Sequence, residues 1–446
     1  MTTATKYKTY SKYKSSGIDW LGDIPEGWEA DYLKNLGHFA SSGIDKKTIE
    51  GEPLIQMVNY TDIYGNETRI INSDRDFMTV SCPAWKIPES NLIKGDLVFT
   101  PSSETIEDIG LSALIFENLN NTVFSYHVVR FRFSKPFDHG FKKYLCNNNF
   151  VLQQFSSAAK GTTRQILDRN DFKSIHVVVP SVEEQKKIAD FLDRETAKID
   201  EMVAKKQKMM ELLKEKRQAI ITHAVTKGLD PKAKMKPSGI DWLGDIPVGW
   251  EMKRAKYLGR AIIGLTYSPD EVVNEGEGVL ILRSSNIQNG LVELNDNVYV
   301  KKEIPEDLFT KSGDILICSR NGSVRLIGKN ILIDESTENL SFGAFMTIFR
   351  SRNYEFLYYF FNSSLFISQT GLFSTSTINQ LTTSILDNLE IPTPPSDAQQ
   401  KIVKFLKSGT AKIDEMMKKV EIQISKLQEY RQALITDAVT GKIMVN

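Results

Sequence analysis

The segment Ser16-Gly-Ile-Asp-Trp-Leu-Gly-Asp-Ile-Pro-Glu-Gly-Trp-Glu29 decides the organisation of this chain, because it returns as Ser238-Gly-Ile-Asp-Trp-Leu-Gly-Asp-Ile-Pro-Val-Gly-Trp-Glu251 with one substitution in fourteen positions. A second block, Thr196-Ala-Lys-Ile-Asp-Glu-Met202, returns as Thr410-Ala-Lys-Ile-Asp-Glu-Met416. A period above 200 residues is too long for a solenoid repeat and indicates a duplicated domain pair. Residues 39–180 and 261–394, which lie between the copies, barely resemble each other. We expect the shared parts to perform one task twice and the divergent parts to act on two different targets.

The composition is that of an ordinary globular protein. Of 446 residues, 41% are apolar and 25% are charged, and the formal net charge is zero. No run of eighteen or more apolar residues occurs, so a membrane span is not expected. The N-terminal residues lack the apolar core of a signal peptide, which favours the cytoplasm. Cys82, Cys146 and Cys318 show no metal-ligand or disulfide spacing and are expected to be buried small apolar residues.

Charge is unevenly distributed along the chain. Residues 39–180 carry 15 Lys or Arg against 16 Asp or Glu, whereas residues 261–394 carry 9 against 16. The second divergent region is therefore acidic, and charge alone does not identify a nucleic-acid-binding protein. Any DNA binding would depend on local basic loops, or on partners that supply cations to the phosphates.

Two long helices are predicted. Residues 183–226 contain no Gly or Pro and have strong helix composition. From the repeated Thr onward, both copies place residues at heptad spacing, in the first copy Thr196, Ile199, Val203, Lys206, Met210, Leu213, Arg217, Ile220 and Ala224, and in the second Thr410, Ile413, Met417, Val420, Ile424, Leu427, Arg431, Leu434 and Ala438. This alternation over four heptads predicts a coiled-coil seam. The predicted coiled-coil and partner-docking residues are Ile199, Val203, Met210, Leu213, Ile220, Ile413, Met417, Ile424, Leu427 and Leu434.

The apolar heptad positions of one long helix are most simply buried against those of the other. One chain can pair its helices in either orientation, and a fold with pseudo-twofold symmetry requires the antiparallel one. Lys206, Arg217 and Arg431 are unusual at seam positions; they could extend their charges to water or meet the carboxylates of a partner.

The divergent regions have the pattern of mixed α/β domains with many short strands. Residues 91–100 and 310–319 are turn-then-strand segments in corresponding places, as are residues 54–60 and 279–285. Residues 141–155 and 354–369 are apolar and aromatic helix candidates. The two regions are therefore expected to share a fold while differing at their surfaces.

Catalytic motifs are absent from the sequence. It contains no phosphate-binding G-x-x-x-x-G-K-[ST] loop, G-x-S-x-G elbow, H-E-x-x-H or paired C-x-x-C, and no Asp/Asn-Pro-Pro-aromatic tetrapeptide of the adenine methyltransferases. The five histidines are dispersed, and each is expected to be structural or exposed. These absences favour binding over catalysis.

In the first region, a small basic loop is the main candidate for DNA contact. Lys160, Thr162 and Thr163 could follow a phosphate backbone while Arg164 or Gln165 reaches a base edge. A solvated turn that caps a helix explains the same residues. The counterpart, residues 373–379, keeps the hydroxyl groups but lacks the basic residues.

Two further polar segments are candidates in the second region. One contains Arg320, Asn321, Ser323 and Arg325, and the other contains Arg283 and Asn286. Either could contact bases, and either could be an ordinary hairpin. The matching positions of the first region, Asn59-Tyr60-Thr61 and Pro101-Ser102-Ser103, are polar but uncharged, so their signal is weaker.

Four tryptophans recur in the repeated segment, Trp20, Trp28, Trp242 and Trp250. They could stack on bases. Their position beside Gly and Pro turns in both copies favours a docking segment that packs a loop against the helical core.

These features together resemble the specificity (S) subunit of type I restriction-modification systems, along essentially the whole chain. The matching motifs, present in order and twice, are the Gly-Trp segment, a Pro start followed by Gln and Lys-Ile (Gln185, Lys187-Ile188; Gln399, Lys401-Ile402), a Phe-Leu pair (Phe191-Leu192; Phe405-Leu406), the Lys-Ile-Asp block and an Ile-Thr-x-Ala-Val-Thr ending. The resemblance implies an α+β fold with two α/β target-recognition domains, separated by two long antiparallel helices that form a coiled coil with a pseudo-twofold internal repeat.

The implied domains are a first target-recognition domain at 1–180, a first long helix at 181–230, a linker with the second recognition domain at 231–394, and a second long helix at 395–446. In that family each domain reads one half of a split, asymmetric DNA target, and half-sites read from one face of B-DNA lie about 34–36 Å apart.

The resemblance also implies partners. They are double-stranded DNA, two methyltransferase (M) subunits and, with them, two restriction/translocase (R) subunits, and no membrane. The S subunit has no active site, metal or cofactor of its own; S-adenosylmethionine, ATP and Mg belong to its partners. The alternatives are a specificity subunit of a modification-only or differently organised restriction enzyme, a non-DNA coiled-coil scaffold, and a stand-alone nuclease or methyltransferase.

Overall fold

The computed structural model describes residues 7–288, 290–372 and 380–445, and the chain forms two compact units. The first unit comprises the residues up to Gln207 and those from Ile422 onward, and the second unit is Lys208–Glu421. Two continuous helices, Val182–Lys227 and Ser396–Val439, each contribute to both units. They lie close to the helical segments predicted at 181–230 and 395–446.

The first unit contains fifteen described strands and the beginning of the first long helix. The strands are β1 (Tyr13–Ser15), β2 (Asp23–Pro25), β3 (Glu29–Tyr32), β4 (Gly37–Ser41), β5 (Leu54–Val58), β6 (Ile70–Ile71), β7 (Met78–Ser81), β8 (Asn91–Leu92), β9 (Leu97–Phe99), β10 (Ser102–Ser103), β11 (Ser112–Ile115), β12 (Leu119–Phe124), β13 (Val129–Phe133), β14 (Gln165–Ile166) and β15 (His176–Val179). The α-helices are α1 (Tyr60–Tyr64), α2 (Lys142–Leu145), α3 (Asn149–Ala158), α4 (Arg169–Lys173) and α5 (Val182–Lys227).

The second unit repeats this arrangement. Its strands are β16 (Met235–Pro237), β17 (Asp245–Pro247), β18 (Glu251–Arg254), β19 (Arg260–Ile263), β20 (Val272–Val273), β21 (Val279–Leu282), β22 (Ile287–Gln288), β23 (Leu291–Val292), β24 (Tyr299–Val300), β25 (Ile315–Cys318), β26 (Asn330–Leu332), β27 (Ser341–Phe342), β28 (Met346–Arg350) and β29 (Glu390–Thr393). Its helices are α6 (Tyr354–Phe361), α7 (Ser364–Leu372), α8 (Thr383–Asn388) and α9 (Ser396–Val439).

Each unit is built on two principal sheets. In the first unit their strand orders are β4-β13-β9-β11-β6 and β7-β5-β12-β8. In the second unit they are β19-β28-β25-β26 and β20-β24-β21-β27. In both units the strand after the Gly-Trp segment pairs antiparallel with the strand that leads into a long helix, as β3 with β15 and β18 with β29. The repeated segment is thereby tied to the start of a helix.

In the first unit, the long helices pack against each other in antiparallel orientation. Asp200 of α5 accepts a 2.8 Å hydrogen bond from Arg431 of α9. Nearer the start of α5, Glu184 accepts a bond from Trp28, and the same tryptophan packs beside Gly441, just after the end of α9. The start of one helix therefore faces the end of the other.

The second unit pairs the same helices in the same way. Asp414 of α9 accepts a 2.8 Å hydrogen bond from Arg217 of α5. Ile402, near the start of α9, shares the unit's largest apolar cluster with Ile221 and Val225, near the end of α5. Two sheet-rich domains with long antiparallel helices forming a coiled coil and an internal repeat are therefore confirmed.

The two arginines at seam positions find their carboxylates within the chain. Asp200 and Asp414 are the aspartates of the two Lys-Ile-Asp blocks, and their partners are Arg431 and Arg217. These side chains are between 27% and 53% exposed, so each ion pair contributes about 0.5–1 kcal/mol to stability.

Two predicted helices are each divided in the structure. The segment predicted at 141–155 forms α2 and α3, and the segment predicted at 354–369 forms α6 and α7. The first division occurs at Asn148, whose side chain accepts the backbone N–H of Val151 and so caps α3. A capping asparagine inside an apolar run is easily missed by periodicity alone.

The structure also bears on the predictions made for the cysteines and for a membrane span. Cys82, Cys146 and Cys318 are buried free thiols, as predicted, and burial raises the pKa of each. Among the helices of residues 7–288, 290–372 and 380–445, none is both long enough and apolar enough to cross a bilayer.

Candidate nucleic-acid interface

In the first unit, strand pairing brings separate polar segments to one edge. Strand β12 runs parallel to β5, with Phe124 opposite Val58, so residues that follow the two strands are neighbours. Asn59 follows β5, and Ser125 follows β12; the Ser125 hydroxyl donates to the Asn59 side-chain oxygen at 3.3 Å. Sequence spacing alone does not reveal this meeting.

The predicted loop of residues 160–165 joins the same edge. Two backbone hydrogen bonds between Lys160 and Ile166 close it, at 3.1 and 2.8 Å, and Gln165 pairs with Ser103 across β14 and β10. Gly161 adopts a φ of +117°, and a Cβ there would lie 2.2 Å from the Arg164 carbonyl oxygen. Only glycine therefore fits this turn.

The exposed tip of this loop carries Thr162, Thr163 and Arg164. Arg164 lines a cleft of about 390 Å³ together with Tyr126 and His127. The two rings are tilted by 37° to each other, with their centroids 3.8 Å apart. Burial, and then the positive charge of Arg164, lower the pKa of His127. This edge therefore carries the cation of Arg164 beside the rings of Tyr126 and His127.

Lys160 and Gln165 are already occupied within the protein. The Lys160 ammonium contacts Asp168 at 3.2 Å and Asp171 at 3.4 Å, and the hydrogen bond to Asp168 is the main reason its pKa is raised. The Gln165 amide donates to the Gly161 carbonyl oxygen at 2.9 Å. Of the basic pair predicted here, Arg164 is the one whose charge no acidic side chain of the described chain balances by a salt bridge.

Asn59 and Asn286 were expected to contact bases, but the structure buries both. Asn59 is 4% exposed and Asn286 is fully buried. Asn286 accepts the backbone N–H of Arg283 at 2.9 Å and donates to the Glu293 carbonyl at 3.0 Å. Asn59 caps α1. In this structure neither side chain is available to a base edge, because each satisfies the backbone of its own turn.

Tyr60 lies beside Asn59 and is half-buried. Its ring stacks on that of Tyr64 with centroids 5.2 Å apart. Burial raises the pKa of the Tyr60 hydroxyl, and the charge of Arg164 opposes this rise. Tyr60 and Arg164 were predicted from segments about 100 residues apart, and strand pairing ties the loop that carries Arg164 to Ser103 through Gln165.

The second unit brings its own polar segments together in the same way. Strand β27 runs parallel to β21, with Phe342 opposite Leu282. The segment after β21 meets the segment after β25, where the Asn321 amide donates to the Ser284 hydroxyl at 3.1 Å. The two predicted segments of this region therefore form one surface.

Arg320 is the most prominent cation on this surface. Its guanidinium lies 5.1 Å from the centre of the Phe345 ring, and Phe345 is 58% exposed. Ser323 and Arg325 are also exposed. Arg283, by contrast, donates to the Asp296 carboxylate at 2.7 Å, so its charge is balanced within the unit.

The candidate surfaces of the two units lie at corresponding places in their shared fold. In the first unit the Leu167 backbone N–H donates to the Pro101 carbonyl, and in the second unit Leu381 donates to Ser319. These bonds align Pro101-Ser102-Ser103 with Ser319-Arg320-Asn321. The predicted counterpart loop at 373–379 lies outside the described residues.

Sequence reasoning missed three aromatic residues of these edges: Tyr126, His127 and Phe345. Each follows the second strand of a parallel pair, β12 or β27, and precedes a strand of the other sheet. Their only sequence signal is a position between two apolar strands. Identifying them as residues of these edges requires knowing which strands pair.

The predicted coiled-coil residues all lie on the less exposed face of the long helices. Ile199, Ile413 and Leu434 are buried. The half-buried ones are Val203, Met210, Leu213, Ile220, Met417, Ile424 and Leu427. Their role in docking a partner stays a prediction. Within the described ranges, no cluster of three or more His, Cys, Asp or Glu side chains is arranged to hold a metal ion.

Comparison with known proteins places this architecture in a family. The sequence matches the family described as "Type I restriction modification DNA specificity domain" twice, over residues 25–211 and 247–435. The chain therefore belongs to the type I restriction-modification specificity family, and the resemblance found in the sequence is confirmed.

Individual relatives agree with this assignment over nearly their whole length. The EcoKI specificity subunit of Escherichia coli K12 is 25% identical, over 95% of this chain and 90% of its own. A Methanocaldococcus jannaschii protein, provisionally named the specificity subunit of type I restriction enzyme MjaX, is 23% identical over 95% of this chain and 96% of its own. A solved structure from work on complex assembly and conformational transition of the type I R-M system has a TM-score of 0.68 at 17% identity, covering 94% of this chain and 99% of that one. That structure shows the same fold.

Proposed function

We propose that this chain is the DNA-reading subunit of a type I restriction-modification complex, and that each unit reads one half of a bipartite, asymmetric target. The observation that carries the proposal is that corresponding edges of the two units present different groups. Arg320 is exposed on the second unit, whereas the residue at the corresponding place in the first unit, Ser102, is buried, and the exposed cation of that edge is Arg164. Two domains that share a fold but expose different groups at the same edge suit a target whose halves differ.

Direct readout explains how such groups would select bases. An arginine contacts guanine with two hydrogen bonds in the major groove, and one such contact discriminates by about 1–3 kcal/mol. Arg320 and Arg325 in the second unit, and Arg164 in the first, are exposed cations that form no salt bridge within the described residues. Thr162, Thr163 and Ser323 supply hydroxyl groups suited to phosphate or base contacts.

The acidic second region indicates that other subunits share the phosphate contacts. Residues 261–394 carry 9 basic against 16 acidic side chains. Nonspecific affinity for DNA scales with the phosphates that cations neutralise. In this proposal two M subunits supply much of that affinity and the methyl transfer with S-adenosylmethionine, R subunits supply chemistry dependent on ATP and Mg, and this chain is not itself an enzyme.

The repeated helix surfaces support docking of the same partner twice. Met202 in the first unit and Met416 in the second are 44% and 53% exposed at equivalent positions. The preceding Glu in each copy forms the same ion pair to a Lys four residues on, Glu201 with Lys205 and Glu415 with Lys419, both at 2.6 Å. Equal surfaces offer equal binding to two copies of one subunit.

The test is a pair of single substitutions in the complex assembled with its M subunit. We expect Arg320→Ala to relax methylation at one half of the target only, and Arg164→Ala to relax it at the other half only. Arg352→Ala is the matched control, because Arg352 is exposed in the second unit but follows the opposite end of β28 from Phe345. Methylated positions mapped across a genome give the readout.

Each alternative predicts a different result. If both substitutions changed the same half, or neither half, the assignment of one half to each unit would be refuted. Methylation without cleavage, whether or not an R subunit is added, would indicate a modification-only system. Absence of any protected DNA sequence would indicate a coiled-coil scaffold, and methyl transfer by this chain alone would indicate an enzyme.

A further inference from the structure

The Gly-Trp segment folds into the same turn in both units. In the first unit the Leu21 backbone N–H donates to the Ile18 carbonyl at 3.0 Å, and in the second unit Leu243 donates to Ile240 at 3.1 Å. The glycines at matching positions have matching positive φ angles, +76° and +80° for Gly17 and Gly239, and +70° and +69° for Gly22 and Gly244. This geometry accounts for the repeated glycines.

Packing accounts for the second tryptophan of each copy. Trp28 is 1% exposed and Trp250 is 5% exposed. Trp28 also donates its indole N–H to Glu184 of the long helix at 3.1 Å. These side chains hold the segment against the helices, as the docking-segment interpretation of the sequence expected.

Packing does not account for the first tryptophan of each copy. Trp20 is 56% exposed and Trp242 is 46% exposed, yet both copies of the segment have tryptophan at this position. Trp20 stacks on Phe150 with centroids 4.5 Å apart, and more than half of its surface still faces solvent. Leaving so large an apolar side chain in water forgoes the free energy of burial, so its presence at the same exposed place twice requires a cause outside the unit.

The carboxylates beside these tryptophans disfavour a base-stacking role. Asp19 and Asp23 in the first unit, and Asp241 and Asp245 in the second, are exposed, and none forms an ion pair within the described part of the chain. Two carboxylates beside the ring would repel phosphate groups. They suit a protein surface that carries basic side chains around an apolar pocket.

We infer that Trp20 and Trp242 are the anchors by which this chain binds its two M subunits, each tryptophan entering an apolar pocket bordered by basic residues. The inference rests on the proposed function, which supplies a partner present twice. Tryptophan at the centre of a small exposed patch is typical of residues that dominate protein–protein affinity. The repeated segment presents the same exposed tryptophan in both units.

The test measures binding of purified M subunit to the full chain, with the number of subunits from light scattering and the affinity from calorimetry. Wild type is expected to bind two. Trp20→Ala and Trp242→Ala should each weaken one of the two sites at least tenfold, and the double variant should weaken both. Trp85→Ala is the matched control, because Trp85 is 66% exposed in the first unit but lies outside the repeated segment.

Charge and folding are tested separately. Asp241→Asn should weaken one site by a smaller factor and reduce its dependence on salt. Trp20→Phe retains a ring on Phe150, so it separates loss of binding from loss of that internal stacking. Unchanged hydrogen exchange in the long helices shows that a variant is folded.

The outcomes distinguish the two proposals. If wild type bound no M subunit, the proposed function would fail. If wild type bound two and the double variant bound two with unchanged affinity, the anchor assignment alone would be overturned. It would be overturned equally if the variants abolished self-association of this chain, or DNA binding, while M-subunit binding persisted.

Discussion

One arginine–aspartate pair in each unit links two strands of the sheet that leads to the candidate interface. In the first unit Arg132 of β13 donates two hydrogen bonds to Asp96, at 2.8 and 2.7 Å, and Asp96 directly precedes β9. The Asp96 side chain is 1% exposed and that of Arg132 is 31% exposed. These bonds raise the pKa of Arg132. The pair fixes β13 and β9 relative to each other; β9 ends, and the antiparallel β13 begins, near the edge that carries Arg164.

Replacing Arg132 by Met should leave the Asp96 carboxylate buried without its cation. Removing one member of a buried pair costs about 3–5 kcal/mol, and the partial exposure of Arg132 places the expected loss near about 3 kcal/mol. Adding Asp96→Asn removes the stranded charge, while its side-chain oxygen can still accept the Ile93 backbone N–H, at 3.0 Å in the wild type. The double variant should therefore be more stable than Arg132→Met alone, with a loss of about 1–2 kcal/mol.

Hydrogen exchange read by mass spectrometry is the suitable assay. A protein of two units need not unfold in one step, so a single melting temperature would mix the two. Peptides covering β9 and β13 should lose protection in Arg132→Met, while peptides covering β25 and β28 should not change and serve as the internal control. Arg350→Met, which removes the equivalent bonds to Asp314 at 2.7 and 2.6 Å, should give the reverse pattern.

Two results would refute this reasoning. One is a change below about 1 kcal/mol in the local opening free energy of β13 on removal of Arg132. The other is equal loss in the single variant and in the double variant with Asp96→Asn. Either would mean that the buried carboxylate is readily solvated, and that apolar packing alone sets the strand alignment.

Three further predictions concern the helices and the first edge. Arg217→Glu should lower the hydrogen-exchange protection of the long helices in the second unit by placing like charges across the helix pair, and Asp414→Arg added to it should restore at least half of the loss; an unrestored double variant would contradict the pairing. Arg164→Ala should raise the pKa of His127, which nevertheless stays below its usual value because burial is the larger cause, and an NMR titration of the imidazole showing no rise would count against their contact. Lys160→Ala should weaken DNA binding by the assembled complex less than Arg164→Ala, since Lys160 is already paired with carboxylates; equal losses in a binding titration would show that DNA displaces those carboxylates.

Much of the fold was readable from the sequence because it depends on local and repeated signals. The heptad positions from Thr196 and Thr410 predicted which helix face is buried, and Ile199 and Leu434 lie on it. The near-identity of the two Gly-Trp segments predicted two units of one fold. The divided helices show the limit of such signals, because one asparagine, Asn148, interrupts an otherwise continuous apolar pattern.

The candidate site was only partly readable. Arg164, Arg320 and Arg325 are exposed at the edges, as a basic loop would suggest, whereas Asn59 and Asn286 satisfy their own turns. A polar residue before a turn has the same sequence signature whether its side chain faces a ligand or the backbone. The sequence therefore identified polar segments that lie at the edges, but not which of their side chains face solvent; their contact with DNA stays a prediction.

By itself, the sequence determined the duplication, the two long helices and the family, since these rest on periodicity and on motifs that survive without knowledge of contacts. Only the tertiary structure decided that Arg217 meets Asp414 and that Arg320 lies over Phe345. It also decided that Tyr126 and His127 form a platform beside Arg164. The physical reason is that such pairs join residues far apart in the chain, and strand pairing and helix packing, which no local pattern encodes, set their distances.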